Sequence, residues 1–343
     1  MADEIDNVRY EEEFIRNSNG SKLFTCRWLP TNYEPKALIF LCHSYATGCS
    51  ISMKGTAITL AKSGFAAYGM DYIGHGKSSG LQGYIPSFDD LVNDCFDHFT
   101  GVAEKEGNRN KMRILMGESM GGAIVLLLHL RKPEYWDGAV LLAPMCKIAD
   151  EMLPPPWLIN ACRKLSDIIP TWKVVPSGNA VDLSVRDPRI REDVRANPLI
   201  YKDRPRLKTA YNLLDVTMDL EKRLGEVSIP FIVLHGEDDK VTSPSASKLL
   251  YEKASSSQKS IKLYPGMWHA LAGGELPENI ETVRADIVNW LNERISIGQK
   301  TLDGVNKSKA EESGGYKLES RDGSMRTVGS SLCTFMQYEQ VKH

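Results

Sequence analysis

Met112-Arg-Ile-Leu-Met-Gly-Glu-Ser-Met-Gly-Gly-Ala-Ile-Val-Leu-Leu-Leu-His129 runs an aliphatic stretch into Gly117-Glu-Ser-Met-Gly121 and then into a second, longer apolar segment. Gly-x-Ser-x-Gly between a buried strand and a helix marks a sharp turn that exposes a serine hydroxyl. The spacing has a steric cause. Side chains two positions before and two after the serine would collide in so tight a turn, so both positions favour glycine, and the strain keeps the hydroxyl out. Ser119 is the expected nucleophile.

Outward from this turn, short aliphatic and β-branched runs recur at 37–42, 65–72, 112–116, 139–143, 230–235 and 260–264, each reading as a buried strand. Helical spacing fills most of the intervals, at 54–62, 88–103, 120–131 and 245–253. Strands alternating with helices predict an α/β protein with a mostly parallel sheet covered on both faces. A last helix, opened by Pro277, sets Ile280, Val283, Ile287 and Leu291 on one stripe with Trp290 beside it and closes the sheet.

The interval 147–228 breaks the alternation, because about 80 residues pass where a connection needs far fewer. It reads as an inserted helical cap between two parts of one core, 8–146 and 229–297. After Pro154-Pro-Pro156, residues Trp157, Leu158, Ala161, Leu165, Ile168 and Ile169 line one helical face. The ordinary reading of that stripe is packing onto the main domain; the sharper one is a mobile apolar lid over an active site. Beyond Ile297 the chain turns to Gly, Ser, Lys and Glu, and 298–343 is expected to be a disordered tail.

Composition narrows the partners. The 343 residues are 42% hydrophobic and 25% charged, as in ordinary globular proteins, and 42 Lys plus Arg against 44 Asp plus Glu give a net charge of -2. No general attraction to nucleic acid or to an anionic membrane follows. Seven cysteines without a Cys-x-x-Cys pair read as reduced thiols, which points to the cytoplasm. The acidic first ten residues show no secretory signal, and the apolar run 123–130 is far short of the roughly 20 residues a spanning helix needs.

A serine nucleophile needs a base, and the base an orienting acid, each at a strand end. After the run 230–235 comes Gly236-Glu-Asp-Asp-Lys-Val241, and after 260–264 comes Pro265-Gly-Met-Trp-His269. His269 would take the Ser119 proton and return it to the leaving alcohol, while Asp239 holds the imidazole in the right tautomer; Asp238 competes for that role. His235, which precedes the Asp loop, is expected to satisfy local hydrogen bonds only. His75 lies in Asp71-Tyr-Ile-Gly-His-Gly-Lys-Ser78, which lacks the first glycine of a phosphate loop, so nucleotide binding is excluded. No His, Cys and carboxylate set has metal-ligand spacing. The oxyanion hole is expected from the backbone N–H groups of Met120, next to the nucleophile, and Tyr45, in the loop after 37–42.

His43-Ser-Tyr45, Asp71 to Ser78, Gly117-Glu-Ser-Met-Gly-Gly122, Leu142-Ala-Pro-Met-Cys-Lys147, His235 to Val241 and Tyr264-Pro-Gly-Met-Trp-His269 together resemble the plant monoacylglycerol lipase-like α/β-hydrolases. That group includes caffeoylshikimate esterase and proteins labelled lysophospholipase. The resemblance spans roughly 8 to 296. It implies an eight-stranded α/β-hydrolase core with a helical cap, a serine hydrolase mechanism without cofactor, and Ser119, Asp239 and His269 as the triad. It prefers Asp239 to Asp238 because the family's acid stands two residues before the valine. One position departs: Ser44 replaces a glycine able to take positive φ, so a reshaped oxyanion loop is expected.

The expected function is hydrolysis of a monoacylglycerol or a similar single-chain lipid ester, the cap's apolar helix sheathing the acyl chain. The alternatives are an esterase for a phenolic ester such as caffeoylshikimate and, from a different class, a non-catalytic ligand receptor on the same fold. Weak peripheral contact with lipid surfaces through the cap is a further expectation. The oligomeric state is left open.

Overall fold

The computed structural model describes residues 2–5, 7–147, 153–174 and 179–314. Its central strands are those read from the apolar runs: β4 (Ala37–Cys42), β5 (Ala66–Met70), β6 (Met112–Glu118), β7 (Gly138–Leu142), β8 (Phe231–Gly236) and β9 (Lys259–Tyr264). Strands β4 to β8 have essentially no polar face, because helices cover both sides of the sheet. An antiparallel hairpin, β2 (Val8–Arg16) and β3 (Lys22–Pro30), completes the expected eight strands, and a short ninth, β1 (Ala2–Ile5), pairs with its edge.

The order β1-β2-β3-β5-β4-β6-β7-β8-β9 is parallel from β5 to β9. β4 lies between β5 and β6, so its outgoing chain and that of β6 leave in opposite directions and open a crevice at their carboxyl ends. Open α/β sheets bind ligands at such a switch point. One face of the sheet carries α3 (Phe88–Ala103), α4 (Met120–Arg131) and α9 (Pro244–Lys253). The other carries α1 (Cys49–Ser52), α2 (Lys54–Lys62) and, as far as Ile297, α10 (Pro277–Gly314), whose Val283, Ile287 and Leu291 are buried as the sequence stripe predicts.

Among the described residues, four α-helices lie between β7 and β8: α5 (Pro156–Ile168), α6 (Ala180–Ser184), α7 (Pro188–Ala196) and α8 (Leu207–Arg223). The apolar stripe of α5 does not pack onto the main domain. Trp157 and Ile168 are 70% and 75% exposed, and Leu158 and Leu165 are also exposed. The helix instead meets α8, and the one buried residue it contributes is Ser166.

Residues Met1–Ile297 form one compact unit and Gly298–His343 a second. The disorder expected of 298–343 does not hold for 298–314, which are helical as the end of α10. The low apolar content of this stretch argues against a core, but Lys, Gln, Glu and Ala are good helix formers and no proline interrupts them. Residues 315–343 lie outside the described residues. Since the first unit owns both faces of its core, a chain ending at Ile297 should express solubly and melt within a few degrees of the full chain. Thermal unfolding followed by circular dichroism checks this; loss of soluble protein would contradict it.

Candidate active site

Ser119 stands at the tip of the turn between β6 and α4 with φ 55° and ψ -117°. The flanking glycines are required by contact. A Cβ at Gly117 would lie 2.2 Å from the Gly121 carbonyl oxygen, and one at Gly121 would lie 1.9 Å from that of Cys42. The Ser119 N–H donates to Leu142 O at 2.9 Å, and Ser119 O accepts from Gly122 and Met145 at 2.9 and 3.0 Å. The turn is thereby tied to the ends of β7 and α4 while the hydroxyl is left out. Among the described residues that hydroxyl makes no hydrogen bond; it opens on a cavity of about 540 Å³ lined by Tyr45, Met120, Met145, Leu213, Leu214, Asp239 and Val241, among others.

Asp239 has no exposed side-chain surface. Its Oδ1 accepts the Val241 and Thr242 N–H groups at 2.7 and 3.0 Å. Its Oδ2 lies 2.7 Å from His269 Nδ1, 3.1 Å from His235 Nε2 and 2.9 Å from the Thr242 hydroxyl. Burial alone would raise this carboxyl, but the hydrogen bonds from His235 and His269, the His269 charge and the Val241 N–H outweigh it and hold the pKa below the ordinary carboxylate range. Asp238 is exposed and receives none of these bonds, which separates the two candidates by geometry. Because an ionised Asp239 offers only lone pairs, the proton between it and His269 belongs to Nδ1, leaving Nε2 as the basic nitrogen.

The Asp and His loops are sewn together by Glu237 N–H to Tyr264 O and Asp238 N–H to Met267 O, both at 3.0 Å. The imidazole is buried beside the elbow, where the Glu118 carboxyl feels the charges of both His269 and Asp239. No hydrogen bond joins Ser119 Oγ to His269 among the described residues. Such bonds commonly tighten only when substrate arrives.

The loop after β4 brings Tyr45 to the same cavity and fixes it through its hydroxyl, which donates to Gly83 O at 2.8 Å. Ser44 does not take the strained conformation expected of its position. The left-handed residue of the loop is Ala46, φ 69°. The Ser44 hydroxyl reaches Glu118 O and Oε2, each at 3.3 Å, so the side chain adds a tie to the elbow instead of a clash. Buried Asp71 holds the far end of the loop by accepting the Cys49 N–H at 2.6 Å, and burial pushes its carboxyl up to about 6 against the pull of the Lys77 and Cys49 N–H groups.

Residues 33–276 match the Hydrolase_4 family, described as serine aminopeptidase, S33. The chain belongs to that family. An Arabidopsis thaliana caffeoylshikimate esterase is 34% identical over 296 residues, covering 86% of this chain and 89% of the relative. A Mus musculus monoglyceride lipase is 28% identical over 294 residues, covering 84% and 93%. Among solved structures, a soluble variant of the Saccharomyces cerevisiae monoglyceride lipase shares the fold with a TM-score of 0.72 at 19% identity, over 82% of this chain and 94% of that one. As a Hydrolase_4 member this chain is a carboxylic-ester hydrolase of the serine type with an α/β-hydrolase fold.

Two residues of this Hydrolase_4 site escape a sequence reading. His235 does satisfy local bonds, but one of its partners is Asp239. Its Nε2 faces two acceptors, Asp239 Oδ2 and Thr242 O, so the proton sits there and Nδ1 accepts the Ser247 hydroxyl at 2.6 Å. Thr242 lies against both Asp239 and His269, the latter at 3.2 Å. A histidine four residues before the acid at a strand end is the one trace of this in the sequence.

Asp239 sits below its ordinary 3.8 in the fold, so near that pH the folded chain binds fewer protons than the unfolded one. Its contribution to stability is complete above the unfolded pKa and is lost as the pH falls through and below 3.8. Urea midpoints between neutral and acid pH should therefore fall more steeply for the wild type than for Asp239→Asn. Parallel curves would contradict the assignment.

Proposed function

We propose that this chain hydrolyses the ester of a single-chain lipid such as a monoacylglycerol, with Ser119 as nucleophile, His269 as base and Asp239 as its orienting acid. The observation that carries the substrate class is the cavity wall. Met120, Met145, Leu213, Leu214 and Val241 present aliphatic and thioether surface beside Ser119. Each acyl methylene buried against such a wall contributes about 0.8 kcal/mol. Lys147, paired with Glu221, and Ser243 add polar groups to the lining on which an alcohol head would rest.

The chemistry follows from the placement of the lone pairs. His269 Nε2 takes the Ser119 proton as Oγ adds to the ester carbonyl, and Asp239 balances the imidazolium charge. The carbonyl oxygen, now negative, meets the Met120 and Tyr45 N–H groups. The first opens α4 and has no acceptor within the helix, so the dipole of the helix adds to its pull. Nε2 then protonates the departing alcohol oxygen, the C–O bond breaks, and an acyl group remains on Ser119. Water, deprotonated by the same nitrogen, repeats the addition and releases the acid. No cofactor enters this sequence.

A second reading, a phenolic ester such as caffeoylshikimate, is favoured by the 34% identity to the Arabidopsis esterase, and it uses the same residues. Purified protein should turn over monooleoylglycerol with a higher kcat/KM than caffeoylshikimate; the reverse order would replace the first reading with the second. A fluorophosphonate probe should label the wild type and fail on Ser119→Ala, whose turnover should fall by about 10⁴-fold or more. A variant retaining near wild-type rates would end the nucleophile assignment.

The exposed face of α5 supports weak docking on a lipid surface. Trp157, Leu158, Leu165 and Ile168 are bare on one helix that also carries Arg163 and Lys164, and Trp172 follows. Trp157→Ser with Ile168→Ser should lower cosedimentation with phosphatidylcholine vesicles while leaving hydrolysis of a short-chain nitrophenyl ester unchanged. Undiminished sedimentation would remove this face from the argument.

A further inference from the structure

The segment 184–201 is hydrogen-bonded to two loops of the site at once. At its start, Ser184 O accepts the Ala270 N–H at 3.0 Å, and the Arg186 and Asp187 N–H groups both donate to Gly274 O, at 2.7 and 3.1 Å. At its end, beyond α7, the Tyr201 N–H donates to Ala46 O at 2.8 Å. One end therefore holds the loop that carries His269 and the other the loop that carries Tyr45.

Arg186 adds a side chain to the first of these joints. Its guanidinium donates to Gly266 O and stands 3.6 Å from Glu275 Oε2. Glu275 has no exposed surface, its Oε1 accepts the Trp268 N–H at 2.6 Å, and its Oε2 accepts the Asn279 amide at 2.8 Å. Gly266 sits at φ 74°, where the chain turns towards the histidine. Arg186 thus grips the loop just ahead of His269, at Gly266 and, through Glu275, at Trp268, while its own side chain is about one-third exposed.

We propose that Arg186 is a positioning residue for His269, through which the segment inserted between β7 and β8 sets how far the imidazole reaches towards Ser119. The inference rests on the reading of His269 as base. Arg186 touches neither the cavity nor the reacting atoms; it acts through Gly266 and Glu275. Removing the guanidinium leaves a buried carboxylate without its cation and the turn at Gly266 without its donor, and both changes fall on the backbone next to the base. A small misplacement of a catalytic group costs rate and leaves binding alone.

Arg186→Ala should lower kcat roughly tenfold on whichever ester the wild type turns over, with KM within about twofold, and should slow fluorophosphonate labelling of Ser119 by the same factor. The low-field proton resonance of His269 Nδ1–H should shift or broaden in the same variant. Arg186→Lys, which keeps a charge near Glu275, should recover at least part of the rate. Should Arg186→Ala not fold, Glu275→Gln is read in its place, since the amide oxygen still accepts the Trp268 N–H. Rates within about twofold of wild type with an unmoved resonance would overturn the proposal while leaving the triad standing. A wild type that fails to label at Ser119 would overturn the triad, and this inference with it.

Discussion

Gly121 and the Cys42 carbonyl oxygen meet with no space for even one methyl between them, and most of the site is laid out from that contact. Because α4 can start hard against the end of β4, the first turn of a helix, the tip of β6 and the loop after β4 converge within one small volume. Ser119, the Met120 N–H and the Tyr45 loop are brought together by this one close approach. The crevice created by strands leaving in opposite directions then becomes a half-open cavity, with Leu213, Leu214 and Thr217 of α8 on one wall.

A second constraint is electrostatic. A carboxylate with no exposed surface survives only if its lone pairs are occupied, and Asp239 is surrounded by five donors, two from backbone and three from side chains. Those donors come from β8, from the turn that follows and from the loop after β9, so the charge and the fold of three segments stand or fall together. His235 and Thr242 belong to this arrangement as much as His269 does, although neither is positioned to meet substrate as a base.

Much of this was legible beforehand, for an identifiable reason. Strands buried on both faces must be apolar throughout, so β4, β6, β7 and β8 announce themselves, and the elbow follows from where its glycines fall. The hairpin β2–β3 gives no such run, because most of β2 faces solvent and three consecutive glutamates, Glu11 to Glu13, interrupt its apolar residues. Strand-end position alone leaves Asp238 and Asp239 open and only the family resemblance prefers Asp239; in the fold it is Asp239 that accepts the two N–H groups of the turn, which local sequence does not show. Ser44 does not strain its loop as its own backbone preference predicts, because the left-handed residue is Ala46 and the Ser44 hydroxyl reaches Glu118. The stripe on α5 is an amphipathic face in the fold as in the sequence, but periodicity says only that a face is apolar, never what lies against it.

Thiol distribution gives this chain a practical property. Cys26, Cys42, Cys49, Cys95 and Cys146 are packed in the interior, and Cys162, on α5, is the one cysteine among the described residues that reaches the surface. In a version ending at Ile297, which omits Cys333, a maleimide dye or nitroxide would find a single ready attachment point on the very helix whose apolar face is bare. The native sequence thus already contains a reporter for whatever that helix does when substrate or a bilayer is present.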